Sequence, residues 1–516
     1  MIMPKTLSHN ITEANNKLLE LGFDLNDPLL YKRRIKYLLP FSPLYSCIVH
    51  SFYNFGLIKP EDIFIDSKEG LNGNIKEVSL YFHIPFCLKR CSYCLFYTCQ
   101  YHNPEELSTY LYFLKKEISL LQDTVDFKRL LVKRVYIGGG SPSILKRDQF
   151  EDLLRLIKDE FILSKDVQVL IEIEPETSAK AKDTFLMLRQ NGVNSISLGV
   201  QTFDKGILKL IGRADLKSHI LETMGILRSF NFQNINIDLL FNSPGQTLIN
   251  WESDLEETLR LLPTSISLNS LIVNRLPVYK LYHKHINLFP TYKDSLLIRC
   301  LAEVILSKEY ATIDYSQYIK NDLVNRTGLC LNRRLDVIAF GPRTWSRWNG
   351  TEYYNWYNLA LYMKALSKDR LPIWVGMKNY DENMANQLCQ NLISSGEINL
   401  DEVLKRKEQL YYKKKFERLE RLGYGNKEGM KFKLNAKGKF CFFPQASFLV
   451  SKKQGLITYL VTTALHKNYI LGYAYFWMKE RDITIFLYNL FITRRIYFKI
   501  IFILFFTSLL FVILKK

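Results

Sequence analysis

"YFHIPFCLKRCSYCLFYTC", residues 81–99, carries four of the chain's nine cysteines. Cys87, Cys91 and Cys94 follow an apolar run at C-x3-C-x2-C spacing, and Cys99 lies five residues further on. Thiolates suit zinc or an iron–sulfur cluster. Structural zinc takes four closed ligands, usually as two separated pairs. Here three cysteines share one short loop and no second pair follows, so zinc would need Cys99 or His83 as its fourth ligand. On a four-iron cluster, three cysteines leave one iron without a protein ligand, free to take substrate or cofactor.

The rest of the chain sets that loop in an α/β frame. From about residue 78 to 275, apolar strand-like runs ("EVSLYFHI", "RVYIGG", "VQVLIEIEP", "SISLGVQ", "NINIDLLF", "SISLNSLIV") alternate with helix-length amphipathic segments such as "DQFEDLLRLIKDEF" and "WESDLEETLRLL". Regular alternation predicts parallel β/α units, and six of them make a full or partial barrel. Polar and glycine residues collect just after each strand, at the rim where such barrels place their sites.

At 516 residues, with 47% hydrophobic and 23% charged residues, the chain holds two or three domains and a large core. Residues 1–78 read as an N-terminal arm, 79–277 as the barrel, 278–445 as an α+β domain covering the substrate, and 446–516 as a basic, hydrophobic tail. In the third segment, "YYKKKFERLERLGYGNKEGMKFKLNAKGKF" reads as helix, turn and hairpin with Gly429 near the tip, either a winged-helix-like module or a plain α/β cap. "IIFILFFTSLLFVIL" (500–514) gives about 22 Å of helix, short of a hydrocarbon core of roughly 30 Å unless the flanking lysines snorkel. It reads as a tail anchor or peripheral membrane contact, or as an end acquired by a shifted or extended reading frame. The start has no apolar export segment, so the cysteines are expected in a reducing cytoplasm, where clustered thiols bind metal more often than they pair. The net charge of +19 is spread along the chain and no nucleic-acid-binding motif accompanies it, so no nucleic-acid partner is expected.

Strand, C-x3-C-x2-C and the frame from Tyr81 through Cys87 to Tyr93-Cys94 resemble the radical SAM superfamily, in the branch of the oxygen-independent coproporphyrinogen III oxidases, which includes haem chaperones and anaerobic haem-degrading radical methyltransferases. Four further motifs arrive in that family's order: "YIGGGSPS" (136–143), "IEIEPE" (171–176), "SISLGVQTF" (195–203) with "LIGRAD" (210–215), and "NINIDLLFNSPGQT" (234–247). The resemblance implies a (β/α)6 TIM-like barrel and a [4Fe-4S] cluster on Cys87, Cys91 and Cys94. S-adenosylmethionine (SAM) would chelate the open iron. Its contacts would come from Tyr81, Tyr93, Gly139, Gly140, Ser141, Glu172, Gln201, Arg213, Asp238 and Ile272, with Gly140, Ser141 and Ile272 where a second SAM lies in the oxidases. It implies reductive cleavage of SAM to a 5′-deoxyadenosyl radical, fed by an external one-electron donor of flavodoxin or ferredoxin type.

The substrate expected from the branch is a tetrapyrrole, porphyrinogen or haem. Two departures matter. The oxidases carry a fourth cysteine two residues after the third, where this chain has Phe96, and the chaperones' His-Asn…Tyr-Trp haem motif has no counterpart in "NRTGLCLNRR" (325–334). A chaperone-like haem binder and a methyltransferase on another substrate therefore stay open. "FGPRTWSRWNGTEYYNW" (340–356) is the candidate substrate segment. Trp345, Trp348 and Trp356 could stack on a flat ring and Arg343 and Arg347 could pair its propionates, or the aromatics could simply pack as core.

Overall fold

The computed structural model describes residues 8–26, 55–58, 63–64, 75–94, 96–179, 181–213, 217–271, 281, 284–312, 316–323, 335–349, 351–379, 396–403 and most of 413–440. Ile272 and the hydrophobic tail lie outside them. Among the described residues no helix is long and apolar enough to cross a membrane.

Six strands run parallel in sequential order: β1 (Lys76–Ile84), β2 (Leu130–Gly139), β3 (Ile162–Ile173), β4 (Ser195–Gln201), β5 (Asn234–Phe241) and β6 (Ser265–Ser270). Between them come α1 (Pro104–Gln122), α2 (Arg147–Glu160), α3 (Lys182–Gln190), the short α4 (Lys205–Ile211), α5 (Lys217–Ser229) and α6 (Leu248–Arg260). This is the β/α alternation the sequence predicts. The barrel does not close on itself. A seventh parallel strand, β7 (Asp336–Phe340), pairs with the outer edge of β1, and Gln317–Lys320 pairs antiparallel with the outer edge of β6. Beyond β7 the sheet continues antiparallel through Trp345–Trp348, Thr351–Asn355 and Ile373–Asn379 to Phe55–Ile58, so the described sheet has thirteen strands. A separate three-stranded sheet contains the hairpin Gly425–Glu428/Lys431–Leu434, with Gly429 at φ 60° in its turn.

The two faces of the parallel strands differ in chemistry. Successive side chains point to opposite faces. One face carries Val78, Leu80, Phe82 and Ile84 on β1, Val135 and Ile137 on β2, Ile196, Leu198 and Val200 on β4, and Ile237 and Leu239 on β5, all buried. The helices cover this face with their apolar stripes, as Phe150, Leu153, Leu154 and Ile157 do on α2. Phe82 stacks on Phe340 of β7 at 5.0 Å, which ties the added edge to the barrel. The other face is polar: Tyr81 and His83, Tyr136, Glu172, Ser197, Asn236 and Asp238, Ser265 and Ser267. A barrel built only for stability fills its interior with branched aliphatics. Here the interior face is a ladder of hydroxyls, amides and carboxylates.

Candidate active site

The ladder is hydrogen-bonded from strand to strand. Ser197 Oγ donates to Asp238 Oδ2 (2.7 Å), Asn236 Nδ2 donates to Asp238 Oδ1 (3.0 Å), and the hydroxyls of Ser265 and Ser267 donate to Asn236 Oδ1 (3.0 and 3.1 Å). Asp238 thus finds partners among its neighbours. Burial still raises its carboxyl above the usual range, with the Ser197 hydrogen bond the largest opposing influence. Glu172, two strands away, accepts from the Gly139 amide (2.8 Å) and from the Tyr136 hydroxyl. Burial pushes it up to about 7. A carboxyl so placed changes its proton readily near neutrality.

At the rim, the 139–141 turn clamps the root of the cysteine loop. The amides of Gly140 and Ser141 donate to the carbonyls of Ile84 (2.7 Å) and Phe86 (2.8 Å). Each glycine makes room for a protein neighbour. A Cβ on Gly138 would lie 2.7 Å from Glu172 Oε2, one on Gly140 would lie 2.6 Å from the Phe86 carbonyl, and one on Gly139 would enter the His83 ring. The sequence suggests these glycines let a ligand approach the backbone. In the structure the amides of Gly139, Gly140 and Ser141 serve Glu172, Ile84 and Phe86, because the loop and the turn pack backbone to backbone.

His83 is locked from both sides. Its Nε2 lies 2.9 Å from the Tyr97 carbonyl, which can only accept, so Nε2 carries the hydrogen and Nδ1 accepts from the Tyr81 hydroxyl at 2.9 Å. Burial lowers its pKa to about 4, so the ring is neutral at physiological pH. Cys99 Sγ is 3.3 Å from the Tyr97 hydroxyl. Both residues that could have completed a zinc site are therefore engaged elsewhere. Among the described residues no three His, Cys, Asp or Glu side chains are grouped to hold a single metal ion.

Of the three remaining loop cysteines, Cys91 sits against Arg213 and Cys87 lies within reach of its charge. The Ser92 amide donates to the Ile211 carbonyl (3.0 Å), docking the loop on the C-terminal end of α4. The Arg213 side chain, 5% exposed, places Nη1 at 3.9 Å from Cys91 Sγ, 3.4 Å from the Tyr93 hydroxyl and 3.8 Å from Glu174 Oε1, while Nη2 donates to the Gly199 carbonyl (2.9 Å). Burial raises the Cys87 thiol and pushes Cys94 up to about 11, so ligation there needs a cation to displace the protons. Gln201 ends β4 at φ 68°, where the pairing with β5 slips by one residue. A left-handed non-glycine residue at a bulge is strain, and strain of this kind gathers at functional sites.

The structure thus brings Tyr81, Tyr93, Gly139, Gly140, Ser141, Glu172, Gln201, Arg213 and Asp238 to the inner face and C-terminal rim beside Cys87, Cys91 and Cys94. Sequence reading missed Tyr136 on Glu172, the Ser197–Asn236 support of Asp238 and the Tyr97 brace on His83. The signal for the first two was the polar alternation along each strand.

A model of the radical SAM superfamily matches residues 81–262, the span from β1 through α6. An oxygen-independent coproporphyrinogen III oxidase from Synechocystis is 29% identical over 350 residues, 63% of this chain and 74% of that protein. Residues 81–262 match the radical SAM superfamily, and the chain is similar to the coproporphyrinogen III oxidase-like branch. The heme chaperone HemW of Lactococcus lactis is 36% identical over 200 residues, 38% of this chain and 50% of the chaperone, so the chain spans about half the length of that relative. The solved structure of coproporphyrinogen III oxidase (HemN) from Escherichia coli shares the fold with a TM-score of 0.65 at 22% identity, covering 73% of this chain and 91% of that one.

Proposed function

We propose that this protein is a radical SAM enzyme that acts on a tetrapyrrole. In this reading Cys87, Cys91 and Cys94 hold a [4Fe-4S] cluster, and SAM lies between the cluster and the polar inner face. The observation that carries it is a loop of three thiols whose Cys91 sits against a buried Arg213, with both residues that could serve as a fourth ligand, His83 and Cys99, tied to Tyr81 and Tyr97. The donor set fits the cluster: soft thiolates for iron, and a nearby guanidinium that offsets the negative charge of a thiolate-ligated centre.

When bound, the cluster and SAM supply a one-electron cleavage that yields a 5′-deoxyadenosyl radical able to take a hydrogen atom from the substrate. The chain's own residues orient the reactants. Glu172 and Asp238 present carboxylates to hydroxyl and ammonium groups, Arg213 presents a fork to a carboxylate, and Tyr93 offers a ring face. The neutral His83 holds Tyr81 in place and offers no proton near neutral pH.

On the substrate side the structure sorts the aromatic segment. Trp348 is fully buried under Lys76, Trp345 Nε1 donates to Glu352 (3.1 Å), and Arg347 donates to the Leu335 carbonyl (2.6 Å) and pairs with Asp336. These three are framework. Arg343 differs. It follows β7 at the same rim as the cysteine loop, stands at φ 57°, and its charge reaches His83 and Tyr97. We assign it the propionate of a tetrapyrrole, since a bidentate guanidinium suits a carboxylate.

The test is anaerobic reconstitution followed by mass spectrometry of reactions with haem and with coproporphyrinogen III. 5′-Deoxyadenosine formed together with a decarboxylated, methylated or ring-opened product supports the reading. SAM cleavage with no change in either tetrapyrrole removes the substrate assignment. Stoichiometric haem binding with no SAM cleavage makes the protein a haem carrier, the reading favoured by its similarity to a chaperone.

A further inference from the structure

The inner face of the barrel is hydrogen-bonded from strand to strand in its upper half, and one row below that is not. Ser79 on β1, Arg134 on β2 and Gln168 on β3 are register partners in the parallel pairing, so their Cα atoms stand side by side, roughly 4.8 Å from strand to strand. Alternation from Tyr81, Tyr136 and Glu172 turns all three inward. Arg134 lies about 13 Å down its strand from Gly138, away from the cysteine loop. Its Nε is buried with no hydrogen-bond partner, and so is Gln168 Oε1. Native interiors seldom leave two such atoms on adjacent strands. Arg134 and Gln168 as whole residues are half-buried, so room remains beside them for a few heavy atoms.

Neighbours dictate which atom of Gln168 is free. The Asn194 side chain donates from Nδ2 to the Val167 carbonyl (2.8 Å) and accepts at Oδ1 from the Val169 amide (3.0 Å), which fixes its orientation. Ser195 Oγ gives its one hydrogen to that Oδ1 (3.0 Å), so towards Gln168 it can only accept, and Gln168 must turn Nε2 to it (3.2 Å). Oε1 is left over as an acceptor. Arg134, next to it, lacks a counter-ion. The acids near the foot of the barrel serve Lys133 instead: Asp166 pairs with it at 2.7 Å, and the charge of Glu77 acts on it. At the level of Arg134 the inner face offers Ser79, Gln168, Ser195 and Asn234, none of them acidic. The guanidinium carbon stands 5.8 Å from the centre of the Tyr136 ring, and Tyr136 is the one ionisable neighbour whose charge acts on it. A desolvated cation wants a negative partner, and the adjacent carbonyl oxygen wants a hydrogen.

We propose that Arg134, Gln168 and Ser79 form a binding site for a small monoanionic oxyanion that also carries a hydroxyl, the chemistry shared by hydrogencarbonate and dihydrogen phosphate. The anion's oxygens accept from the Arg134 guanidinium, its hydroxyl donates to Gln168 Oε1, and Ser79 closes the row with a group that can do either. Water would satisfy the two orphaned atoms and leave the charge unbalanced. An oxyanion without a hydrogen would balance the charge and leave Oε1 unsatisfied. Only a ligand with both features answers both demands. Binding is reversible, with no covalent step, and the site is independent of the cluster reading.

The experiment follows thermal unfolding of the full chain, prepared without oxygen, as one anion is titrated in at constant ionic strength. The probes are hydrogencarbonate above neutral pH and dihydrogen phosphate below it, with nitrate and chloride at each pH. Nitrate is the control, a planar oxyanion of hydrogencarbonate's shape with no hydrogen to give. Wild type should show a saturable rise in Tm with hydrogencarbonate or dihydrogen phosphate, at concentrations about tenfold or more below those nitrate needs. Whichever of the two acts at the lower concentration identifies the source. Arg134→Met should abolish the rise. In chloride it should be at least as stable as wild type, because it removes an unpaired buried charge, whereas loss of a merely structural arginine would lower Tm there. Gln168→Leu should bring the hydroxylated anions down to the level of nitrate and leave nitrate within about twofold of wild type. Hydroxylated anions no better than nitrate in wild type would overturn the site. So would an Arg134→Met chain that still responds to them, or one less stable than wild type in chloride.

Discussion

Substituting Gly139 by alanine strikes the point where the glycine turn, the locked histidine and the cysteine loop meet. Gly139 has φ +118°, a region that side chains avoid, and a Cβ built there lies 2.5 Å from His83 Cε1. The ring cannot swing aside cheaply, because Nδ1 is held by Tyr81 and Nε2 by Tyr97. Backbone strain costs about 1–3 kcal/mol. Displacing the ring breaks two buried hydrogen bonds, each about 1–3 kcal/mol when its partner is left unsatisfied. A total of about 3–9 kcal/mol is expected, a large part of the 5–15 kcal/mol that typically separates folded from unfolded chains. Gly192 supplies the control: its φ is +89°, yet an added Cβ meets nothing within 4 Å, so Gly192→Ala carries backbone strain alone. The assay is urea denaturation of both variants under oxygen-free conditions, with iron content measured on the same samples. Gly139→Ala should lose at least 2 kcal/mol more than Gly192→Ala (~2, the hydrogen-bond share) and lose iron, because the turn clamps the residues leading into Cys87. Equal losses would refute the argument that the glycine is there for the histidine. Adding His83→Ala to Gly139→Ala should recover part of the loss by removing the obstacle.

Replacing Cys87, Cys91 or Cys94 singly by serine should abolish iron retention, whereas Cys99→Ser should keep the iron and lose only its weak bond to Tyr97; iron and sulfide analysis separates these cases. Arg343→Gln should weaken tetrapyrrole binding about tenfold or more while SAM cleavage without substrate is unchanged, measured by haem titration and 5′-deoxyadenosine release. Asp254, on α6, accepts from the Thr202 hydroxyl (2.7 Å) and the Phe203 amide (2.8 Å), and burial raises its pKa from 3.8 to about 7. The unfolded chain releases this proton near 3.8 and the folded one near 7. Its contribution is therefore full below 3.8, declines as pH rises, and is gone above about 7. Asp254→Asn should flatten stability against pH across that window, by an amount on the order of a few kcal/mol in denaturation midpoints.

How far the sequence could be read follows from what each signal depends on. Apolar runs such as "NINIDLLF" and their helical partners are local, so the parallel units and their order were legible. Cysteine spacing is local too, and so was the loop. The polar interior depends on register. Asn236 reads as one polar residue in a strand until Ser197, Ser265 and Ser267 come alongside it. The same holds for β7. "DVIAF" is a strand by composition, but nothing near it says that it lies parallel to β1, whose chain is some 250 residues earlier. The aromatic segment misleads for the opposite reason. Trp345, Trp348 and Trp356 crowd in sequence, yet antiparallel pairing of Trp345–Trp348 with Thr351–Asn355 sends Trp348 into the core and turns Trp345 to Glu352. Arg343 stays with the rim, its amide donating to the carbonyl of the half-buried Trp356 (2.8 Å). The locked state of His83 was also invisible, because its Tyr97 brace reaches across the whole cysteine loop.

The most direct measurement is the metal content and paramagnetic spectrum of the full chain prepared without oxygen. About four irons and four acid-labile sulfides per chain, with a reduced-state signal that changes when SAM is added, are expected of a cluster held by three thiolates with one iron open to a ligand. A colourless protein with neither iron nor sulfide, or a cluster whose signal ignores SAM, would contradict the account.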